Sequence, residues 1–293
     1  MINVVCILHG NVAPPPWLIE APTLGNVYIT INDPGAGRYE VLPDGAIVTV
    51  NNVPLGFAEN INAALRKVFI DDGQEEACVV NFDLEMRSDA LVKLASALRS
   101  EPASGVVGAV LVGPDGSPTF SVGTLPTPLK EFLRAAGLRS GALFRLQRRT
   151  LRRSQRWVAR NAPPAKGSRI LGAEEYLPWS CVAVSRRAWE GVGPMDERFP
   201  LYAEDIDWSI RCRQAGWLPS LHDCGRVTHH ERATRGRRAD TLYEFSHLEL
   251  HRKWGWTANL RWQTRGLRAR RSWPLRSVAA PLDWSLLTKL DRS

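Results

Sequence analysis

Hydrophobic positions along the first 112 residues alternate between short runs and helical stripes. Val4 to Leu8 is a continuous apolar run closed by His9-Gly10-Asn11, as expected of a strand buried on both faces. Asn26 to Asn32 and Ala46 to Val50 are rich in β-branched residues and predict a second and a third strand. Ala58 to Phe69 places Ile61, Leu65 and Val68 on one stripe and predicts a helix. Ala77 to Val80 predicts a fourth strand. Ser88 to Leu98 predicts a helix capped by Ser88, with Leu91, Leu94, Ala95 and Leu98 facing inward. Val106 to Val112 predicts a fifth strand. Strands that alternate with helices in this way define an α/β protein with a parallel sheet, whose ligands bind at the carboxyl edge.

The second half is patterned less evenly. Gly113 to Pro118 is a turn, and Thr119 to Lys166 shows no sustained period. Pro194 and Pro200 prevent a continuous helix before about Glu204. From there Glu204, Asp205 and Asp207 crowd a first helical turn, Arg211 and Arg213 a last one, and Gly216 supplies the stop. Trp217 to Leu221 predicts another strand, and Thr241 to Trp254 another helix. The division expected is a catalytic domain over 1–230, with halves 1–115 and 116–230, and a basic Trp/Arg-rich helical extension over 231–293.

With 293 residues, 44% of them hydrophobic and 23% charged, the chain has material for a real core. A net charge of +8 and a pI near 9.6 favour anionic partners: phosphates, nucleic acid or acidic lipid. The arginines concentrate at Arg145, Arg148, Arg149, Arg152, Arg153 and Arg156, and again in a tail where Trp254, Trp256, Trp262, Trp273 and Trp284 interleave with them. Such segments suit peripheral contact with an anionic membrane. Five scattered cysteines without C-x-x-C spacing point to free thiols in a cytoplasmic setting. The longest apolar run, Gly105 to Gly113, is half a membrane span, and the amino-terminal run has no basic leader.

The acids at element ends carry the candidate chemistry. Asp205, held at the mouth of a helix beside an aromatic, has what a general base for a hydroxyl requires. Asp83, at the end of a buried strand, is placed to ligate a divalent ion. Gly56 permits close backbone approach to a ligand, and Asn62 offers both a donor and an acceptor.

The string Asp196-Glu197-Arg198-Phe199, Tyr202, Glu204-Asp205, Asp207-Trp208, Arg211 and Ala215-Gly216-Trp217 resembles the acceptor-site motif of inverting family-two glycosyltransferases, in their rhamnosyltransferase-like branch. Leu55-Gly56-Phe57-Ala58-Glu59-Asn60-Ile61-Asn62, Val79-Val80-Asn81-Phe82-Asp83 and Leu177 to Arg187 resemble further motifs of that family, as does Cys224 to His230. The chain departs from the pattern at Asn32-Asp33, where the order is Asp-Asn in the family, and at Asn81, where a second Asp is usual. Ser180-Cys181 replaces Ser-Gly, and His9-Gly10-Asn11 with Pro14 to Pro16 implies a shortened or absent first helix.

The resemblance implies a GT-A type fold: a Rossmann-like, mostly parallel sheet flanked by helices, with a helical basic tail. It implies Asp205 as catalytic base with Glu204 beside it, and Asn32, Asp33, Gly56, Phe57, Asn62 and Asn81 around a nucleotide-sugar donor. It also implies Trp179, Trp208 and Arg211 at the acceptor, and Asp83 with His229 holding Mg2+ or Mn2+. The reaction implied is a single inverting displacement that moves L-rhamnose from dTDP-rhamnose, or a sugar from a UDP-sugar, to a glycan, lipid-linked or small-molecule acceptor. Two other classes stay open: a nucleic-acid-binding protein, and a non-catalytic scaffold on a decayed transferase fold. Nucleic-acid binding would leave the acids grouped at strand and helix ends unexplained, so no nucleic-acid partner is expected.

Overall fold

A computed structural model describes residues 1–9, 14–32, 42–117, 119–136, 168–230 and 237–269. The chain forms two compact units, one of residues 1–125 and 149–233, the other of 126–148 and 234–293.

The first unit begins with β1 (Val4–Leu8), a short helix α1 (Pro16–Glu20), β2 (Val27–Ile31) and β3 (Ile47–Val50). Then come α2 (Phe57–Arg66), β4 (Glu76–Val80), β5 (Leu84–Met86), α3 (Asp89–Ser100), β6 (Val106–Ala109) and β7 (Gly123–Thr124). The chain next contributes α4 (Pro128–Ala135) to the second unit. It returns with β8 (Arg169–Ile170), β9 (Glu175–Tyr176), β10 (Cys181–Ser185), α5 (Arg186–Val192), α6 (Glu204–Gln214), β11 (Ser220–His222) and β12 (Val227–His229).

Eight of these strands form one sheet in the order β3-β2-β1-β4-β10-β6-β11-β8. The pairs β1–β2, β1–β4, β2–β3 and β6–β11 are parallel, as the α/β alternation predicts. β10 enters antiparallel between β4 and β6. The period of two in β1 divides the core. Val4, Cys6 and Leu8 join Trp17, Leu91 and Leu94 on one face of the sheet, and Val5 joins Ile61, Leu65, Trp179 and Trp208 on the other.

The first crossover is as short as the three prolines imply, with α1 only five residues long. Its Trp17 is buried and donates from Nε1 to Leu84 O at 2.8 Å, fixing the start of β5. β6 ends at Ala109, three residues short of the expected strand, because Val110 N and Val112 N turn to the carbonyls of His222 and Val227. All five cysteines are free and buried. Among the described residues no helix is long and apolar enough to cross a membrane.

The second unit, in its described part, packs α4 with α7 (Arg237–Lys253) and α8 (Thr257–Ala269). Ala135, Leu248 and Leu267 form a small core, with Phe132 and Trp262 edge-on at 5.5 Å. A Cβ on Gly266 would lie 2.6 Å from Phe132 O, so α8 crosses α4 where only glycine fits.

Candidate active site

The carboxyl ends of β1, β2 and β4 open on the same edge as the amino end of the antiparallel β10. There Asn81 N donates to Ser180 O at 2.9 Å, and Asp83 follows two residues later. The small sheet formed by β5 and β12 sets His229 opposite Leu84, next to Asp83. His229 Nε2 lies 3.4 Å from Asp83 Oδ1, and His230 N donates to Asp83 O at 3.1 Å. Both side chains are largely buried, and His229 Nδ1 has no hydrogen-bond partner. An oxygen and a nitrogen donor at this separation fit one divalent ion, whose bonds to such ligands run to about 2.0–2.3 Å. Asp83 and His229, 146 positions apart in the chain, thus lie side by side.

The second acidic pair heads α6. Helix positions nearer its amino end meet chain positions nearer the start of β10. Arg213 donates to Gly172 O, the Ser209 hydroxyl accepts from Leu177 N, and Trp208 stacks edge-on against Trp179 at 4.9 Å. One turn nearer the amino end than Trp208, Glu204 and Asp205 stand at the head of α6. The backbone before them is strained: Tyr202 and Ala203 both have φ of 70°, a region costly for residues with a Cβ.

The environments of the two acids differ. Glu204 is buried and its Oε2 has no partner. Burial, then the neighbouring Asp205 charge, hold its carboxyl well above the usual range. Asp205 is half-buried, and its Oδ1 accepts from Ile206 N at 2.8 Å. Burial pushes its carboxyl up to about 7, against the stabilising backbone donors. Two adjacent carboxyls that both resist ionisation share one charge, and the hydrogen-bonded Asp205 at the helix amino end is the better holder of it. The arrangement provides one anionic oxygen with basicity near neutrality.

Several residues that the sequence points to are engaged in building this edge. Asn32 donates from Nδ2 to Leu55 O, and its Oδ1 accepts from Leu55 N and Asn51 Nδ2, all within 2.9 Å. Asn51 also donates to Asn60 Oδ1. Asn62 is buried in α2 and clamps the loop before α6: Oδ1 accepts from Met195 N at 2.8 Å, while Nδ2 donates to Met195 O and Glu197 Oε1, both at 2.9 Å. Gly56 serves close approach, as expected, but to protein: an added Cβ would lie 2.6 Å from Pro200 O, which also accepts from Phe57 N. Phe57 is half-buried against the core.

Trp208 has no exposed surface and donates from Nε1 to Gly193 O; Trp179 is 2% exposed. Both tryptophans lie in the core beneath the edge. Arg211 ties down the turn before Pro194 through Val192 O and Pro194 O, with Asp207 Oδ2 on its Nε. Asp33, the arginine run 145–156 and the tail beyond 269 lie outside the described residues. Sequence reasoning missed Asn51, Asn60, Glu59 and Glu197. Their signal was the density of asparagines between 51 and 62 and the reciprocal cap of α2, in which Gly56 N donates to Glu59 Oε2 at 2.7 Å.

The mostly parallel sheet flanked by helices is that of a GT-A type fold. Comparisons with known proteins agree. Over 250 residues the chain is 30% identical to N-acetylglucosaminyl-diphospho-decaprenol L-rhamnosyltransferase from two Mycobacterium tuberculosis strains, covering 79% of this chain and 74% of that enzyme. No family model matches. The chain belongs to the family-two glycosyltransferases, in their rhamnosyltransferase-like branch. Among solved structures it resembles GalNAc-T7 with UDP, GalNAc and Mn2+, at a TM-score of 0.50 and 12% identity, covering 86% of this chain and 47% of that one. It also aligns with S. aureus TarS 1-349, at a TM-score of 0.47 and 10% identity, over 94% of this chain and 73% of that one.

Proposed function

We propose that this transferase moves L-rhamnose from dTDP-rhamnose to a hydroxyl of a polyprenyl-diphosphate-linked N-acetylglucosamine, by a single inverting displacement. What supports the reading is the similarity to the mycobacterial enzyme together with two groupings of candidate chemistry, Asp83 with His229 after β4 and Glu204 with Asp205 at the head of α6. The acceptor class follows the mycobacterial relative, which is named for such a substrate.

In this reading Asp205 removes the proton from the acceptor hydroxyl. The oxygen bonds to the anomeric carbon as the bond to the nucleoside diphosphate breaks on the opposite face. Glu204 stays protonated beside Asp205, and burial keeps the basicity of Asp205 high. Asp83 and His229 would hold a divalent ion, which supplies neutralisation of the departing diphosphate when bound. Asn81, Gly56 and Phe57 border the nucleotide. Asn32 and Asn62 position the segments around the donor, and Trp179, Trp208 and Arg211 support the acceptor loop from beneath.

The test uses the full chain with dTDP-rhamnose and a short-chain polyprenyl-diphospho-N-acetylglucosamine. Transfer should give a product of opposite anomeric configuration by NMR. Asp205→Asn should keep nucleotide binding by calorimetry and lose roughly 10²–10⁴ in turnover, the usual worth of a general base. Full turnover in that variant, or a product of retained configuration, would remove Asp205 from the role.

A further inference from the structure

The second unit contains a cluster that the transfer reaction does not use. Glu131 of α4 and His247 and His251 of α7 are all buried, and a possible ligand atom from each lies within 4.8 Å of the others. His247 and His251 stand four residues apart on one helix, which puts both imidazoles on one face, the spacing by which helical histidine pairs bind zinc. His247 Nδ1 lies 3.4 Å and His251 Nε2 3.2 Å from the same atom, Glu131 Oε2. In a tetrahedral zinc site with bonds of about 2.0–2.1 Å, ligand atoms are about 3.3–3.4 Å apart. The observed separations match that edge length. His247 Nδ1 is buried, faces the carboxylate and makes no hydrogen bond.

We propose that Glu131, His247 and His251 form a structural site for zinc or a metal of similar preference, distinct from the Asp83–His229 pair. Two imidazoles and one carboxylate suit borderline divalent metals better than magnesium, which prefers oxygen ligands and water. Among the described residues, the buried carboxylates Glu131 and Glu244 both pair with the guanidinium of Arg134. Arg134 has anchors of its own, at 2.6 Å from Glu244 Oε1 and 4.5 Å from the Tyr243 ring centre. A ligating carboxylate commonly accepts such an outer hydrogen bond. Tyr243 stacks on His247 at 4.1 Å and Trp256 tilts against His251 at 5.9 Å, so both rings are fixed before any metal arrives. The metal would bolt α4, from the middle of the chain, to a helix more than a hundred residues later.

The test is zinc content. The full chain is incubated with equimolar ZnCl2, passed through gel filtration and analysed for metal. One equivalent should remain. It should also remain in the Asp83→Asn/His229→Gln variant and be lost from His247→Gln/His251→Gln. Co2+ substituted into Asp83→Asn/His229→Gln should show a tetrahedral visible band, an arm that needs no change in the second unit. No retained zinc in the unaltered chain, loss of zinc in the Asp83 and His229 variant, or retention in a folded double-histidine variant would each overturn the proposal.

Discussion

Replacing Glu204 by glutamine isolates the electrostatics of the acidic pair. In the folded chain this carboxyl is 5% exposed, has one oxygen without a partner and adjoins Asp205, so it is held protonated well above its ordinary range. In the unfolded chain it titrates near 4.3. The folded state therefore binds the extra proton, and its contribution to stability is full below the unfolded pKa and declines as pH rises toward the folded one. The slope is at most about 1.4 kcal/mol per pH unit for one proton, so about 2.7 kcal/mol is the ceiling on what this residue removes between pH 5 and 7. Glutamine keeps the shape and has no proton to lose. Urea unfolding of both proteins at pH 5, 6 and 7 should show Glu204→Gln gaining stability relative to the parent as pH rises, up to that ceiling, with unchanged m-values. Because the parent residue is neutral at working pH, the variant should also transfer sugar within several-fold of the parent rate. Parallel stability profiles would mean that Glu204 is ionised in the fold, and the division of roles between the two acids would fall.

Three further outcomes follow. A base whose carboxyl is pushed up to about 7 must be ionised to act, so kcat/KM should rise about tenfold per pH unit below 7 and level above it; a flat profile from pH 5.5 to 8 contradicts the assignment. Asp83→Asn should erase the difference in dTDP affinity between Mn2+ and EDTA seen by calorimetry, and a preserved difference would take Asp83 out of the site. Asn62→Ala deletes three hydrogen bonds to the 195–197 loop and should cost about 2–4 kcal/mol of stability, lowering acceptor kcat/KM while dTDP binding persists. Loss of dTDP binding without loss of stability would instead make Asn62 a nucleotide contact.

The parts of the fold legible in the sequence were those set by local pattern. β1, β2, β4 and α3 lie within two residues of the expected bounds, because apolar runs and a helical stripe report burial directly. The antiparallel β10 was not legible as such: a buried apolar run looks the same in either direction, and only pairing with Val79 and Val107 fixes it. Nor was the Glu131, His247 and His251 cluster, since Glu131 sits in a stretch with no sustained period and its partners lie over a hundred residues away.

At the edge itself the motifs pointed to residues without distinguishing contact from support. Asn32, Asn62, Gly56, Trp208 and Arg211 each hold a neighbouring segment of chain in place through hydrogen bonds or close packing. A buried asparagine with every polar atom engaged is costly to replace, because any substitute strands a backbone group. A glycine under Pro200 O cannot gain a Cβ without moving the loop that leads to Asp205. Glu204 Oε2 and His229 Nδ1 are among the buried polar atoms without a hydrogen-bond partner. Unsatisfied polar atoms are expensive in a core, and the one on Glu204 directly follows the strained Tyr202 and Ala203, which is the physical ground for proposing the chemistry there.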